Sequence, residues 1–160
     1  MANTIYRIVL TGGPCGGKTT ALARISDFFT SRGFRVFLAP EVPTILINGG
    51  LSFAGLKAEQ FLNVESALLK LQLAMEASFL SIAEASEQPS IVVFDRGALD
   101  VSAYLPPGTW QALLDQNDWT IVGLRDRRYD AVVHLVTAAR GAEKFYTTAN
   151  NTARTETPAQ

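Results

Sequence analysis

Residues 12–19 read Gly-Gly-Pro-Cys-Gly-Gly-Lys-Thr and fit G-x-x-x-x-G-K-[ST], a spacing suited to holding phosphate. Main-chain N–H groups of such a loop converge on an anion, and the start of the following helix adds about half a positive charge. Lys18 adds a full one. The candidate nucleotide-binding residues are therefore Gly12, Gly13, Pro14, Cys15, Gly16, Gly17, Lys18, Thr19 and Thr20. Lys18 would reach the β- and γ-phosphates of a nucleoside triphosphate, and the Thr19 hydroxyl would hold Mg²⁺. Side chains at Gly12, Gly16 or Gly17 would obstruct the backbone's approach to those phosphates. Cys15 could gain thiolate character in this positive field, although a spectator at a variable loop position is the plainer reading.

Three further groups could complete a reaction. In Phe94-Asp95-Arg96-Gly97, the acid ends an apolar run and would face the metal, or else cap the segment that follows. Arg96 stands where a water-activating carboxylate would suit a hydrolase. A guanidinium cannot act as a base, and it suits a phosphate or an acceptor substrate. Glu41 follows another apolar run and would be either the general base for an acceptor hydroxyl or a solvated loop glutamate. Arg140, Lys144 and Arg154 come after the last apolar run, where they could fold over phosphates. Arg140 is the candidate for stabilising transition-state charge. Arg125, Arg127 and Arg128 precede that run, which favours paired surface charges, with contact to anionic lipid headgroups as the alternative. His134 reads as a hydrogen-bonded core residue, and no His/Cys cluster suggests a transition metal.

Alternating elements must position these groups. Ile5–Thr11 reads as a buried strand and Thr19–Ser31 as a helix with Leu22, Ile25 and Phe29 on one face. Phe34–Ala39 is the second strand. Pro40, Pro43 and Asn48-Gly49-Gly50 mark irregular chain. A long helix runs from about Ala58 to Ser86 with two apolar stripes. One comprises Phe61, Val64, Leu68, Leu71, Met75, Phe79 and Ile82; the other comprises Leu62, Leu69, Leu73 and Leu80. Strands follow at Ile91–Phe94 and Ala131–Thr137, with a short helical patch near Trp110–Leu114. Strand and helix in alternation imply an α/β fold with a mostly parallel sheet. Residues 1–146 form the nucleotide-binding domain, and 147–160 form a polar tail, expected to be an incomplete lid region. A fold of this kind closes with a further strand and helix, so the chain is expected to stop short of them.

Composition narrows the function class. The chain has 160 residues, enough for one domain with a core. Its 14 basic and 15 acidic residues argue against a nucleic-acid surface. One cysteine excludes an intrachain disulfide. The N-terminus lacks a signal-peptide pattern, and no uninterrupted apolar run reaches the roughly 20 residues of a membrane span. A cytoplasmic location is expected.

The segment Arg7-Ile-Val-Leu-Thr-Gly-Gly-Pro-Cys-Gly-Gly-Lys-Thr-Thr20 closely resembles the TRPL-translocation-defect family of P-loop proteins. Phe94–Asp100 with Ser102-Ala-Tyr104 is similar to its next block. Leu124–Asp130, His134-Leu-Val and Ala139–Tyr146 are similar to a third. That family is grouped with the nicotinamide-riboside kinase domain of a bacterial NAD-biosynthesis regulator, under an AAA-like ATPase heading. The resemblance implies a P-loop NTPase three-layer sandwich of kinase-like type, lacking its last strand. It implies that Lys18 and Thr19 hold the nucleotide phosphates and Mg²⁺. Asp95-Arg96 would match the Asp-Arg motif of deoxynucleoside and nucleotide kinases, and Glu41 their substrate-side acid. Some animal members are described as GTP-binding, phosphoinositide-binding trafficking regulators.

Two readings follow. The first is an ATP-binding, Mg-dependent phosphotransferase acting on a small acceptor, with Glu41, Asp95, Arg96 and Arg140 as catalytic candidates and Thr19 and Asp95 at the metal. The acceptor would lie between Pro40 and Phe61 and near Tyr104. The second is a non-catalytic GTP or ATP switch in membrane trafficking, although no Asn-Lys-x-Asp guanine-reading motif is present. A ring-forming AAA hydrolase fits poorly, because Arg96 replaces the second acid.

Overall fold

Among the described residues, the apolar runs that begin at Ile5 and Ser90 lie side by side at the centre of a four-stranded parallel sheet. A computed structural model describes residues 4–13, 15–106 and 108–136. Strands β1 (Ile5–Gly12), β2 (Arg35–Ala39), β3 (Ser90–Asp95) and β4 (Ala131–Leu135) are ordered β2-β3-β1-β4. Register sets Leu10 beside Asp95 and Gly12 beside Leu135, so the ends of β1, β3 and β4 open at one edge.

Both sheet faces are covered, which explains why the central strands are apolar at successive positions rather than alternate ones. Leu10, Ile91 and Val93 point to α1 (Lys18–Thr30), where Leu22, Ile25 and Phe29 meet them. Val9, Val92 and Phe94 point the other way, to Met75, Phe79, Leu80 and Ala83 of α3 (Ala58–Glu84). Phe94 is 1 % exposed, and truncating it to alanine would cost about 3–5 kcal/mol from lost transfer energy and the cavity left behind.

Helix α3 is buried on two sides, as its two stripes require, but the stripes divide differently. Leu80 joins Met75 and Phe79 on the sheet, while Leu62, Leu69 and Leu73 pack toward α4 (Thr109–Gln116) and Leu124 of α5 (Ile121–Arg125). Ile82 is exposed. By length and composition α3 could cross a membrane; here it lies between the sheet and α4.

Other expectations needed correction. The stretch read as irregular after Pro40 contains α2 (Val42–Asn48), because proline is compatible with a helix's first turn. Helix α5 and a 3-10 turn at Asp100–Ala103 were not anticipated. His134 is exposed rather than core, since β4 pairs among the described residues with β1 alone. Arg125 makes the expected surface pair with Asp126. Arg128 does not stay on the surface: it reaches Glu76, a 2 %-exposed residue on the buried face of α3.

Candidate active site

The loop after β1 turns into α1 by way of main-chain geometry that few residues tolerate. Gly12 has φ +136°, and a Cβ there would lie 2.1 Å from the Leu135 carbonyl oxygen of β4. Gly17 has φ +80° and open space around it. These glycines are therefore required by the approach of β4 and by a left-handed turn. Clearance for a ligand, the reason suggested by sequence, is a further demand on the loop. The Lys18 ammonium donates to the Gly12 and Gly13 carbonyls at 2.9 and 3.2 Å. Thr19 and Thr20 begin the helix and are exposed. Cys15 adopts φ +55° within the loop.

The β3 end lies next to that loop. Asp95 is partly buried, and its Oδ1 has no hydrogen-bond partner among the described residues. Burial pushes its carboxyl above the ordinary value and the Glu41 charge adds to this, while Lys18 and Arg96 oppose it. An orphaned carboxylate oxygen in electrostatic reach of Lys18 fits a hard cation, as does the Thr19 hydroxyl. No group of three or more His, Cys, Asp or Glu ligands occurs among the described residues. One carboxylate and one hydroxyl are a donor set of the kind Mg²⁺ takes, with phosphate and water completing its shell.

Arg96 turns sharply away from the strand at φ +75°. Its N–H donates to the Leu10 carbonyl at 3.0 Å, and its own carbonyl accepts from Gln72 Nε2 at 3.0 Å. Its guanidinium donates to Glu41 Oε1 and to the Tyr104 hydroxyl. Glu41 is thus a paired residue and not a solvated loop glutamate. Burial alone would raise its pKa, but Arg96, the Thr44 hydroxyl at 2.5 Å and Lys18 together hold it below the ordinary carboxylate value. Arg96 is likewise held charged: burial disfavours the cation, and Glu41 and Tyr104 outweigh that cost.

Asp100 joins the two turns. One carboxylate oxygen accepts from the Thr11 hydroxyl of β1 and the other from the Gly97 N–H at 2.6 Å. Lys18, Glu41, Asp95 and Arg96 are therefore brought together. Pro14, Arg140, Lys144, Arg154 and the 147–160 tail lie outside the described residues. Sequence reasoning passed over Asp100, Gln72 and Glu76. The last two carried a visible signal, a polar i, i+4 pair set between the apolar residues Leu71, Leu73 and Met75 of α3.

A glycine-rich loop between a central parallel strand and a helix, facing an Asp-Arg turn on the neighbouring strand, defines a P-loop fold of kinase-like type. The profile of the AAA domain family matches residues 7–160, and the chain belongs to that family. Among solved structures, deoxyadenosine kinase from M. mycoides with bound dATP is similar at TM-score 0.52 and 15% identity, over 94% of this chain and 72% of that one. The same enzyme with products dCMP and a flexible dCDP gives TM-score 0.44 and 20% identity over the same shares. At these identities the likeness concerns the fold. No curated protein matches the chain in sequence.

Proposed function

We propose that the chain is a phosphotransferase of nucleoside- or nucleotide-kinase type. In this reading Mg-ATP donates its γ-phosphoryl group to a hydroxyl or phosphate of a small acceptor. The observation that carries it is the Glu41–Arg96 pair, set beside Lys18 and closed by Tyr104. A motor-type hydrolase needs a base beside water at that place; here the group after Asp95 is a permanent cation.

Lys18 and the loop amides bind the triphosphate. Thr19 and Asp95 would hold Mg²⁺, which would supply charge neutralisation across the phosphates. Glu41, ionised at neutral pH, accepts the proton of the acceptor hydroxyl as that oxygen bonds to the γ-phosphorus. The bond from phosphorus to the β–γ bridging oxygen breaks, and the nucleoside diphosphate leaves. Arg96 orients Glu41 and meets the charge on the transferred group. The resemblance to nicotinamide-riboside-kinase-type proteins, together with the deoxyadenosine kinase fold, favours a nucleoside as acceptor. Arg140 would add charge from the segment after β4.

The test is incubation of the protein, Mg²⁺ and γ-labelled ATP with a panel of nucleosides and nicotinamide riboside. The expected result is label on one acceptor class, lost in Glu41→Gln. Triphosphate binding without transfer to any of them would overturn this reading in favour of a switch.

A further inference from the structure

Away from the reacting groups, Glu76 sits in the middle of α3 at 2 % exposure with three partners. Its Oε1 accepts from Gln72 Nε2 at 2.9 Å and from the Tyr129 hydroxyl at 2.8 Å. Its Oε2 accepts from Arg128 Nε at 2.7 Å. A buried carboxylate is costly unless its lone pairs are filled, and here a charged guanidinium and two neutral donors fill them.

Two of those partners continue to the same short turn. The second N–H of the Gln72 amide donates to the Arg96 carbonyl at 3.0 Å. The Tyr129 hydroxyl, while donating to Glu76, accepts from the Ala98 N–H at 2.7 Å. The turn therefore hangs from Glu76 at both ends. The first attachment falls on Arg96 itself, a non-glycine residue at φ +75°, a conformation that costs on the order of 1–3 kcal/mol and persists only where the surroundings over-determine it. Burial and the Glu76 charge raise the Tyr129 hydroxyl's pKa, so it stays a donor to Glu76.

We propose that Glu76 is a positioning residue: through Gln72 and Tyr129 it holds the Arg96–Ala98 turn in its left-handed form and so aims the Arg96 guanidinium at Glu41. The catalytic consequence rests on the phosphotransferase reading; the linkage between Glu76 and Arg96 does not. Glu76 makes its hydrogen bonds to Gln72, Tyr129 and Arg128, not to the Arg96 guanidinium or Glu41. Its replacement acts by releasing the turn, and Arg96 then points elsewhere while the phosphate loop, held by its own main chain, is unchanged. Misplacement of a transfer group by about 1 Å lowers turnover by up to about a hundredfold.

The experiment compares wild type, Glu76→Gln and a core control, Leu113→Val, by two readouts. Nuclear magnetic resonance follows the Arg96 Nε–H signal and the exchange protection of the Ala98 amide in the full chain without substrates. Steady-state assays follow the acceptor's kcat and the triphosphate KM. The proposal expects Glu76→Gln to shift or broaden the Arg96 signal and to lose Ala98 protection. It expects kcat to fall by about tenfold or more with the triphosphate KM within about twofold. Leu113→Val should do neither at a comparable loss of Tm. A folded Glu76→Gln with an unmoved Arg96 signal, or with unchanged kcat, would overturn it. If that variant does not fold, Tyr129→Phe and Gln72→Leu each cut one route, and the same two outcomes decide. If wild type transfers to no acceptor, the phosphotransferase reading fails, and the resonance arm still decides whether Glu76 holds the turn.

Discussion

Two turns stand side by side at the open edge of the sheet, one after β1 and one after β3, and they are built on opposite principles. The first is organised mainly by backbone, its own and that of β4 beside it. Left-handed glycines shape it, and the Lys18 ammonium folds onto the Gly12 and Gly13 carbonyls. The second is organised by distant side chains: Gln72 and Tyr129 from below, Asp100 from ahead, Glu41 and Tyr104 around the guanidinium. A loop that must present backbone donors to an anion gains from having few side chains. A turn that must aim one cation needs several. Damage to the first should therefore appear as lost triphosphate binding or lost folding, and damage to the second as lost transfer.

The largest effect should come from Gly12→Ala. It places a methyl group 2.1 Å from the Leu135 carbonyl at φ +136°, and should cost about 3 kcal/mol in denaturant unfolding. A loss below about 1 kcal/mol would mean that β4 gives way easily and that the first turn is not backbone-determined.

Lys18→Ala should weaken triphosphate binding by about 2 kcal/mol or more in calorimetric titration, through loss of charge-assisted hydrogen bonds. Arg96→Met, on the second turn, should weaken it less and should slow transfer more. The reverse ranking would merge the two turns into one phosphate site.

Glu65 offers a pH test of the helix that supports the second turn. It is 4 % exposed on α3, two turns before Gln72 on the same face, and burial pushes its carboxyl up to about 7 from an ordinary 4.5. Between those values the folded chain keeps a proton that the unfolded chain has released, so stability should fall as pH rises from about 4.5 to about 7. Glu65→Gln should remove that decline and gain on the order of 2 kcal/mol above pH ~7, with little change near pH ~4. A flat difference between the two proteins across that range would show that Glu65 is solvated or paired.

The smallest effect should belong to the link between the turns. Thr11→Val removes a hydroxyl donor to Asp100 and should cost about 1 kcal/mol in unfolding, with triphosphate affinity retained. A large binding loss would show that Asp100 couples the two turns tightly.

The same difference decides what could be read without coordinates. The first turn is local: strand, loop and helix start all fall within Ile5–Thr30, so spacing alone located it. The alternating pattern likewise gave the parallel sheet, and the spacing of apolar residues gave the long double-striped helix. The second turn was half legible. Asp95 and Arg96 stood out as chemistry, but what holds them lies 55 residues away at Glu41, 24 at Gln72 and 31 between Ala98 and Tyr129. No local rule connects such positions. Arg128 was misjudged for the same reason, since its partner lies 52 residues earlier on a buried helix face. Helix α2 was missed because two prolines near Glu41 were weighed as breakers when one of them sits in a helix's first turn.

The division of labour between the turns is tested most directly by one variant measured two ways. Glu41→Gln should leave the triphosphate dissociation constant within about twofold of wild type while transfer to the acceptor falls by about a hundredfold or more, the scale expected for a general base. Transfer that survives the substitution, or a loss of triphosphate affinity as large as that of Lys18→Ala, would contradict the assignment of Glu41 to the acceptor side.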